Sequence, residues 1–194
     1  MNIKILNYGI GNLGSIVKLL NSFDNINVEI ADDKNDLKSS DLLILPGVGT
    51  FPSAIKNLQK KKLFTFLKKN IKDGLPVLGI CLGMHILSKG SDELGYNEGL
   101  SFFSGNVIKI PNFNCNVGWN DVLDNKHRKF GNFYFQHSFF LKKKSKDEIA
   151  KFTYVDNLKI ISYLNKKNIF GVQFHPEKSQ IDGYMFFENF LKQI

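Results

Sequence analysis

The chain has 194 residues, of which 43% are hydrophobic and 23% charged, and a formal net charge of +8. Such values are typical of a soluble globular protein, so we expect one domain over residues 1–194. No apolar run approaches the roughly 20 residues of a membrane span, the first residues lack the long apolar region of a signal peptide, and two cysteines are too few for a disulfide framework. The composition therefore argues against a membrane protein or a disulfide scaffold and predicts a cytoplasmic location.

The positive charge is almost entirely lysine, in short runs such as 60–62 and 142–144. Nucleic-acid binding is one interpretation of this excess. However, Arg128 is the only arginine, and no motif interleaves basic and aromatic residues on one element. We therefore favour solvated lysine-rich faces and expect no nucleic-acid partner.

The chain begins with a predicted strand at 3–8, followed by a glycine-rich turn at 9–14 (GIGNLG) and an amphipathic helix at 15–23. A second predicted strand at 27–31 precedes Asp32. This order of strand, G-x-G-x-x-G, helix, strand and acid is the fingerprint of dinucleotide-binding proteins. The alternative is a tight strand-to-helix turn that needs glycine for its geometry alone. Both interpretations stay open at this point.

A buried strand predicted at 41–45 (DLLIL) runs into a loop, Pro46-Gly47-Val48-Gly49. Glycine tolerates the unusual φ values with which such a loop turns backbone N–H groups outward. The loop is therefore a candidate cradle for an oxyanion or a phosphate. One or two helices are predicted at 52–70, where apolar residues recur at helical spacing.

The segment 75–87, LPVLGICLGMHIL, carries the main candidate for chemistry. A buried strand at 76–80 delivers Cys81 to the start of an apolar helix. A cysteine at such a bend faces helix N–H groups, which favour the thiolate and supply oxyanion donors. With Gly79 and Gly83 it forms G-x-C-x-G, the cysteine counterpart of a nucleophile elbow. The alternative is an ordinary buried cysteine.

From about residue 100 the pattern changes to short strands with turns, as in hairpins and antiparallel sheets. The predicted strands span residues 107–110, 118–122, 133–140, 148–155, 160–165 and 169–174. Residues 89–98 are predicted to form a loop, 143–147 a hairpin turn, and about 181–192 a final helix. The sequence therefore predicts an α/β fold with a mostly parallel central sheet, flanking helices and antiparallel strands in the C-terminal half.

The last predicted strand delivers His175, and Pro176 prevents further strand pairing there. Glu177 follows two residues after His175. A nucleophilic cysteine needs a base within hydrogen-bond reach, and that base needs a partner that fixes its tautomer. Cys81, His175 and Glu177 all lie at or just after the carboxyl ends of predicted strands, so they are a candidate catalytic triad. The alternative for His175 alone is polar surface.

Taken together, these motifs resemble the class I (triad) glutamine amidotransferases over essentially the whole chain, and within them the glutaminase subunits of imidazole glycerol phosphate synthase. The matching segments are residues 7–12, 45–51, 79–84, 118–120, 134–138 and 171–179. The resemblance implies the flavodoxin-like sheet of that family, L-glutamine as the substrate, and no cofactor or metal.

The resemblance also implies roles for the candidate residues. Cys81 would attack the side-chain amide of glutamine, His175 would transfer protons, and Glu177 would orient His175. The oxyanion donors would be the N–H of Leu82 and an N–H of the loop Gly47-Val48-Gly49, which in the family can need reorienting before the oxyanion hole is complete.

Two further groups of positions follow from the resemblance. The glutamine pocket would be lined by Gly49, His85, His137 and Ser138. The partner interface would include Asn12, Trp119, Asn120 and Lys178. His85 stands where the family usually has glutamine, and a histidine donates one hydrogen bond without the geometry of an amide. Trp119 is the only tryptophan and a natural interface anchor; the alternative is an ordinary core tryptophan.

The implied function is hydrolysis of glutamine to glutamate and ammonia. The ammonia would be channelled to a (β/α)8-barrel cyclase subunit of a heterodimer, which makes imidazole glycerol phosphate and an aminoimidazole carboxamide ribonucleotide in histidine biosynthesis. An alternative is a related glutaminase subunit that feeds a sugar amidotransferase in surface-glycan biosynthesis. A dinucleotide-binding protein, a catalytically silent scaffold and a cysteine peptidase explain fewer of the motifs.

Overall fold

The computed structural model describes residues 1–111, 115–142 and 144–194. In these ranges the strands are β1 (Asn2–Leu6), β2 (Asn27–Ala31), β3 (Leu42–Leu45), β4 (Val77–Ile80), β5 (Gly90–Ser91), β6 (Asn97–Glu98), β7 (Asn106–Lys109), β8 (Asn116–Leu123), β9 (Lys129–His137), β10 (Phe139–Leu141), β11 (Ile149–Val155), β12 (Leu158–Lys166) and β13 (Ile169–Val172). The helices are α1 (Leu13–Leu20), α2 (Phe51–Lys60), α3 (Leu63–Lys72), α4 (Leu82–Ile86) and α5 (Gln180–Leu191).

The main sheet has nine strands in the order β2-β1-β3-β4-β13-β12-β11-β8-β9. The pairs from β2 to β13 are parallel, and the pairs from β13 to β9 are antiparallel. A smaller sheet has the order β10-β7-β5-β6. The predicted α/β fold, with parallel strands first and antiparallel strands in the C-terminal half, is confirmed.

Helices cover both faces of the parallel half of the sheet. On one face α2 and α3 bury Leu58 and Leu67, and on the other α1 and α5 bury Ile16 and Phe187. Every residue of β3 and of β4 is buried. Strands buried on both faces have continuous apolar sequences. For this reason the strands predicted at 41–45 and 76–80 lie close to the observed bounds of β3 and β4.

The order of the parallel strands also positions the site. β1, β3, β4 and β13 are neighbours and run in the same direction, so their carboxyl ends meet at one edge of the sheet. The segments that follow these four strands carry the glycine-rich turn, the Pro46–Gly49 loop, Cys81 and the His175-Pro176-Glu177 segment. In open α/β sheets that edge is the usual place for a ligand crevice.

Two predicted elements need correction, and a third is decided between its two alternatives. The strand predicted at 133–140 is two strands, β9 and β10, which belong to different sheets; the chain turns at Ser138, where His137 Nδ1 donates to the Phe139 carbonyl. The loop predicted at 89–98 contains the paired short strands β5 and β6. The region 52–70 is divided into α2 and α3 at Lys62, whose φ of 57° is incompatible with a continuous helix.

The predicted hairpin turn at 143–147 and the lysine run at 142–144 lie partly outside the described residues. Within the described residues, no helix is long and apolar enough to cross a membrane.

Candidate active site

Cys81 lies on a sharp bend between β4 and α4. Its backbone has φ 52° and ψ −106°, values that a non-glycine residue adopts only when its surroundings impose them. The Cys81 N–H donates to the Val172 carbonyl over 2.7 Å, and the Cys81 carbonyl accepts the His85 N–H over 3.2 Å. These contacts to β13 and α4 hold the bend, so the predicted nucleophile elbow is present in the backbone.

The glycines of the elbow are required by close backbone approach. A Cβ atom on Gly83 would lie 1.8 Å from the Leu45 carbonyl oxygen, and one on Gly79 would lie 2.5 Å from the Gly83 carbonyl carbon. A Cβ atom on Gly47 would lie 2.7 Å from the Leu82 Cβ. The loop after β3 and the start of α4 therefore touch through positions where no side chain fits.

We expect Gly83→Ala to destabilise the protein by at least about 3 kcal/mol, since its methyl group would displace backbone of β3. Gly14→Ala is the matched control: Gly14 lies in α1, and a methyl group added there would have no atom within 4 Å, so alanine should stabilise its helix by up to about 1 kcal/mol. Urea unfolding of both variants measures the difference. Equal stability of the two variants would contradict the close approach.

The three residues of the predicted triad come together at this edge of the sheet. His175 Nδ1 and Glu177 Oε1 are 2.8 Å apart, and both side chains are almost fully buried. The His175 N–H donates to the Tyr134 carbonyl over 2.8 Å, and its carbonyl accepts the Ser179 hydroxyl over 2.6 Å. The backbone of His175 is thus fixed by Tyr134 and Ser179, and its imidazole is oriented by Glu177 at Nδ1.

The electrostatic surroundings of His175 favour its charged form. Burial lowers the pKa of His175, but the nearby Cys81 sulfur and the Glu177 carboxylate outweigh burial and raise that pKa above its ordinary value. Among the described residues, His175 Nε2 makes no hydrogen bond. Because Glu177 occupies Nδ1, Nε2 is the ring nitrogen left for proton transfer with the nearby Cys81.

A cavity of about 380 Å³ opens beside the elbow. All the predicted pocket residues line it, together with Cys81 and the first residue of α4: Gly49, His85, His137, Ser138, Cys81 and Leu82. The structure therefore brings the residues assigned to substrate binding by resemblance to a single cavity. Among the described residues, no group of three His, Cys, Asp or Glu could hold a metal ion.

His137 is neutral and its tautomer is determined by its neighbours. Nδ1 is 2.9 Å from the Phe139 carbonyl oxygen, which only accepts, so this nitrogen carries the proton. Nε2 is 3.1 Å from Asn116 Nδ2 and accepts from that amide. Burial lowers the pKa of His137 to about 3. His137 therefore presents an uncharged ring to the cavity.

The loop Gly47-Val48-Gly49 rests on Tyr8, a residue to which the sequence analysis assigned no role. The fully buried Tyr8 hydroxyl donates to the Pro46 carbonyl, and burial raises the pKa of Tyr8, so the hydroxyl keeps its proton. Val48 is 40% exposed, and Gly49 has a φ of 122°. The loop is thus anchored at Pro46 and open at its tip. In the sequence, a tyrosine two residues after β1 was the only sign of this support for the loop.

The glycine-rich turn at 9–14 supports the same loop. A Cβ atom on Gly11 would lie 3.3 Å from Pro46, and one on Gly49 would lie 3.3 Å from Ile10. Asp32, the acid of the apparent dinucleotide fingerprint, accepts a hydrogen bond from Asn7 over 2.8 Å. These contacts favour the interpretation of the turn as a structural element beside the cavity.

Glu93 is a second residue that the sequence analysis missed. Its carboxylate accepts the Phe51 N–H over 2.8 Å at the start of α2, and the side chain lines the cavity. Glu93 lies in the polar segment between β5 and β6, where no motif distinguishes it from other surface acids. Only the tertiary structure places it at the site.

The predicted interface residues lie on the surface. Trp119 is 45% exposed and meets the Tyr134 ring edge-on at 6.1 Å, which excludes the alternative of a core tryptophan. Lys178 Nζ donates over 3.0 Å to Oε1 of Gln136, a residue that lines the cavity. Asn12 is exposed, and Asn120 is partly buried. Lys178 Nζ also lies over the Tyr134 ring, 5.5 Å from its centre, so Lys178 connects the surface around Trp119 to the cavity.

Comparison with known sequences gives full-length matches. A family model described as "Glutamine amidotransferase class-I" matches residues 4–194. "Imidazole glycerol phosphate synthase subunit HisH" of Caldanaerobacter subterraneus subsp. tengcongensis is 40% identical, with 99% of this chain and 98% of that protein covered. The protein of the same name from Pyrococcus furiosus is 37% identical, with 97% of each chain covered.

Solved structures show the same fold. One described as "Crystal structure of glutamine amidotransferase" has a TM-score of 0.80 at 16% identity and covers 98% of this chain and 97% of its own. "Structure of PurLQS from Thermotoga maritima" has a TM-score of 0.79 at 18% identity, with 99% and 98% covered.

Proposed function

The chain belongs to the class I glutamine amidotransferase family, and from this premise we propose that it is the glutaminase subunit of an imidazole glycerol phosphate synthase. The observation that carries the proposal is the buried triad of Cys81, His175 and Glu177 beside a cavity of about 380 Å³. Relatives named as subunits of that synthase are similar over nearly their whole length. We further propose that residues 1–194 act as one amidotransferase domain.

The triad geometry supports glutamine hydrolysis through an acyl-enzyme. His175 Nε2 takes the Cys81 proton, and the thiolate attacks the side-chain amide carbon of glutamine. Glu177 accepts from Nδ1, so the proton-accepting nitrogen is Nε2. His175 then gives the proton to the departing ammonia. A water molecule, deprotonated by His175, cleaves the thioester and releases glutamate.

The negative charge that develops on the amide oxygen needs N–H donors. The N–H of Leu82 directly follows the nucleophile at the free amino end of α4. We propose a second donor from the loop Gly47-Val48-Gly49, whose glycines can turn a peptide plane at low cost. An incomplete hole in the free subunit would prevent wasteful glutamine hydrolysis.

Glu93 supplies a charge for substrate recognition. Its carboxylate lines the cavity, and one of its oxygens is held by the Phe51 N–H. The two buried histidines at the cavity, His85 and His137, are neutral because burial lowers the pKa of each. We propose that Glu93 binds the α-ammonium group of glutamine by a charge-assisted hydrogen bond.

We propose that the surface around Trp119 and Lys178 docks a (β/α)8-barrel cyclase, which receives the ammonia. Trp119 offers a large exposed aromatic surface of the kind that anchors interfaces. Lys178 connects that surface to Gln136 at the cavity. A partner that binds at this surface would therefore contact a residue that is bonded to the cavity lining. The unpaired thiols Cys81 and Cys115 fit the reducing cytoplasm, where we propose that the complex works.

The experiment that tests this function is steady-state glutaminase kinetics with and without the cyclase and its nucleotide ligand. We expect the isolated chain to hydrolyse glutamine slowly, and the ligand-bound cyclase to raise kcat by at least about a hundredfold. This corresponds to roughly 2.7 kcal/mol of transition-state stabilisation, the contribution of one oxyanion donor.

Lys178→Ala should lose part of that stimulation while the basal rate remains. Lys126→Ala, a change at an exposed lysine in the turn between β8 and β9, is the matched control and should keep the full stimulation. Full activity of the chain alone would contradict gating by the partner. Stimulation only by a sugar-modifying synthase would move the function to surface-glycan biosynthesis.

A further inference from the structure

Gln173 lies fully buried between two side chains of the site. It directly follows β13, and its backbone N–H donates to the Ser162 carbonyl over 2.9 Å. The side-chain Oε1 is 2.7 Å from His85 Nε2, and the side-chain Nε2 is 3.7 Å from Cys81 Sγ. A buried amide with one partner at each end is oriented by both partners.

The orientation of the Gln173 amide is linked to the tautomer of His85. Oε1 of Gln173 only accepts hydrogen bonds, so His85 carries its proton on Nε2. Burial lowers the pKa of His85 to about 4, so the ring is neutral near pH 7. In the opposite orientation the amide oxygen would face the sulfur, a contact that is repulsive once Cys81 is a thiolate, and His85 would have to carry its proton on Nδ1.

We propose that Gln173 donates a hydrogen bond to the Cys81 sulfur and that His85 is a positioning residue that holds Gln173 in the donating orientation. The proposal rests on the proposed role of Cys81 as the nucleophile. The donor stabilises the thiolate before glutamine binds. His85 then affects the nucleophile through Gln173 and not through a contact with the substrate.

Few other groups near these contacts change charge around neutral pH. Tyr8 faces Cys81, and burial together with the Cys81 charge raises the pKa of Tyr8. His137 is close to His85, and burial lowers the pKa of His137 to about 3. His175 is the remaining titratable partner of the sulfur that the pKa shifts identify. A pH profile of Cys81 reactivity therefore reports on the thiolate and on its coupling to His175.

The test is the pH dependence of Cys81 alkylation by iodoacetamide on the full chain, without glutamine or partner. Peptide mass spectrometry separates the product at Cys81 from that at Cys115. Gln173→Met and His85→Leu are each expected to raise the pH midpoint by about one unit, or about tenfold less thiolate at a given pH below it. The double variant should raise the midpoint no further, because both changes remove one contact.

Two more variants make the outcome specific to the hydrogen bond. His85→Gln restores a donor to Gln173 Oε1 and should return the midpoint to that of the unchanged chain. Ser88→Ala is the matched control. It removes a buried hydroxyl after α4 that donates to the Gly90 carbonyl, and it should leave the midpoint unchanged. If Gln173→Met does not fold, as judged by near-UV circular dichroism, His85→Leu tests the same contact from its other end.

Kinetics of the complex provide the second measurement. His85→Leu is expected to lower kcat for glutamine hydrolysis and to leave KM within about twofold. An unchanged alkylation midpoint in both His85→Leu and Gln173→Met would overturn the proposal, and so would a raised KM with an unchanged midpoint. If the complex formed with the unchanged chain had no glutaminase activity, the proposed function would be contradicted instead. The alkylation midpoints would still test the contact between Gln173 and Cys81.

Discussion

Cys81→Ala is expected to abolish glutamine hydrolysis, by at least about 10⁴-fold, while ammonia-dependent synthesis by the complex continues. The loss is large because the nucleophile and the base act as one unit, and neither replaces the other. Synthesis from added ammonia should persist, because the proposed cyclase partner receives only ammonia from this subunit. Paired assays of the complex with glutamine and with ammonium chloride measure the two rates.

Cys115 provides the matched control for the nucleophile. It is exposed, lies outside any strand or helix and is one of the residues that line the cavity. Serine is close to cysteine in size and shape, so Cys115→Ser should keep most of the glutaminase activity. A glutamine-derived affinity label such as diazo-oxo-norleucine should modify Cys81. Modification of Cys115 with Cys81 left free would show that the nucleophile is assigned to the wrong cysteine.

His175→Ala is expected to be nearly as damaging as the loss of Cys81, because the sulfur then has no base and the departing ammonia no acid. Glu177→Gln should cost less, roughly tenfold to a hundredfold, as expected for weakening a hydrogen bond to a charged group. In the proposed mechanism Glu177 orients the imidazole through Nδ1 and transfers no proton itself. Glutaminase rates of the complex compare the two losses.

His127 is the matched control for this pair of variants. It is exposed in the turn between β8 and β9, with a φ of 59° that asparagine tolerates. His127→Asn should therefore leave the rate unchanged. Equal losses in His175→Ala and Glu177→Gln would refute the division of roles between base and orienting group.

The sequence located the chemical groups well because their signals are local. The strands around β3 and β4 are buried on both faces and therefore appear as short apolar runs. A glycine, cysteine or histidine at the end of such a run must lie at the edge of the sheet. Cys81 and the His175-Pro176-Glu177 segment were therefore predicted at the same edge, and the structure places them there. Element ends differed by a few residues, since the terminal turns depend on contacts made elsewhere.

The contacts between distant segments were not predictable in the same way. Gln173 reaches His85 across 88 residues, and the Tyr8 hydroxyl reaches the Pro46 carbonyl across 38. Each contact exists because β1, β3, β4 and β13 are neighbours in the sheet. Nothing in the periodicity of a strand states which strand lies beside it.

By itself, the sequence determined the class of fold, the sharp bend at Cys81, the glycine loop and the placement of His175 beside Glu177, because residue type and local backbone geometry are sufficient for each. Only the tertiary structure decided that Trp119 is exposed, that Glu93 lines the cavity and that residues 133–140 divide between two sheets. These features depend on strand order and on packing between segments far apart in the chain. Burial and side-chain neighbours are properties of that packing, and no local pattern contains them.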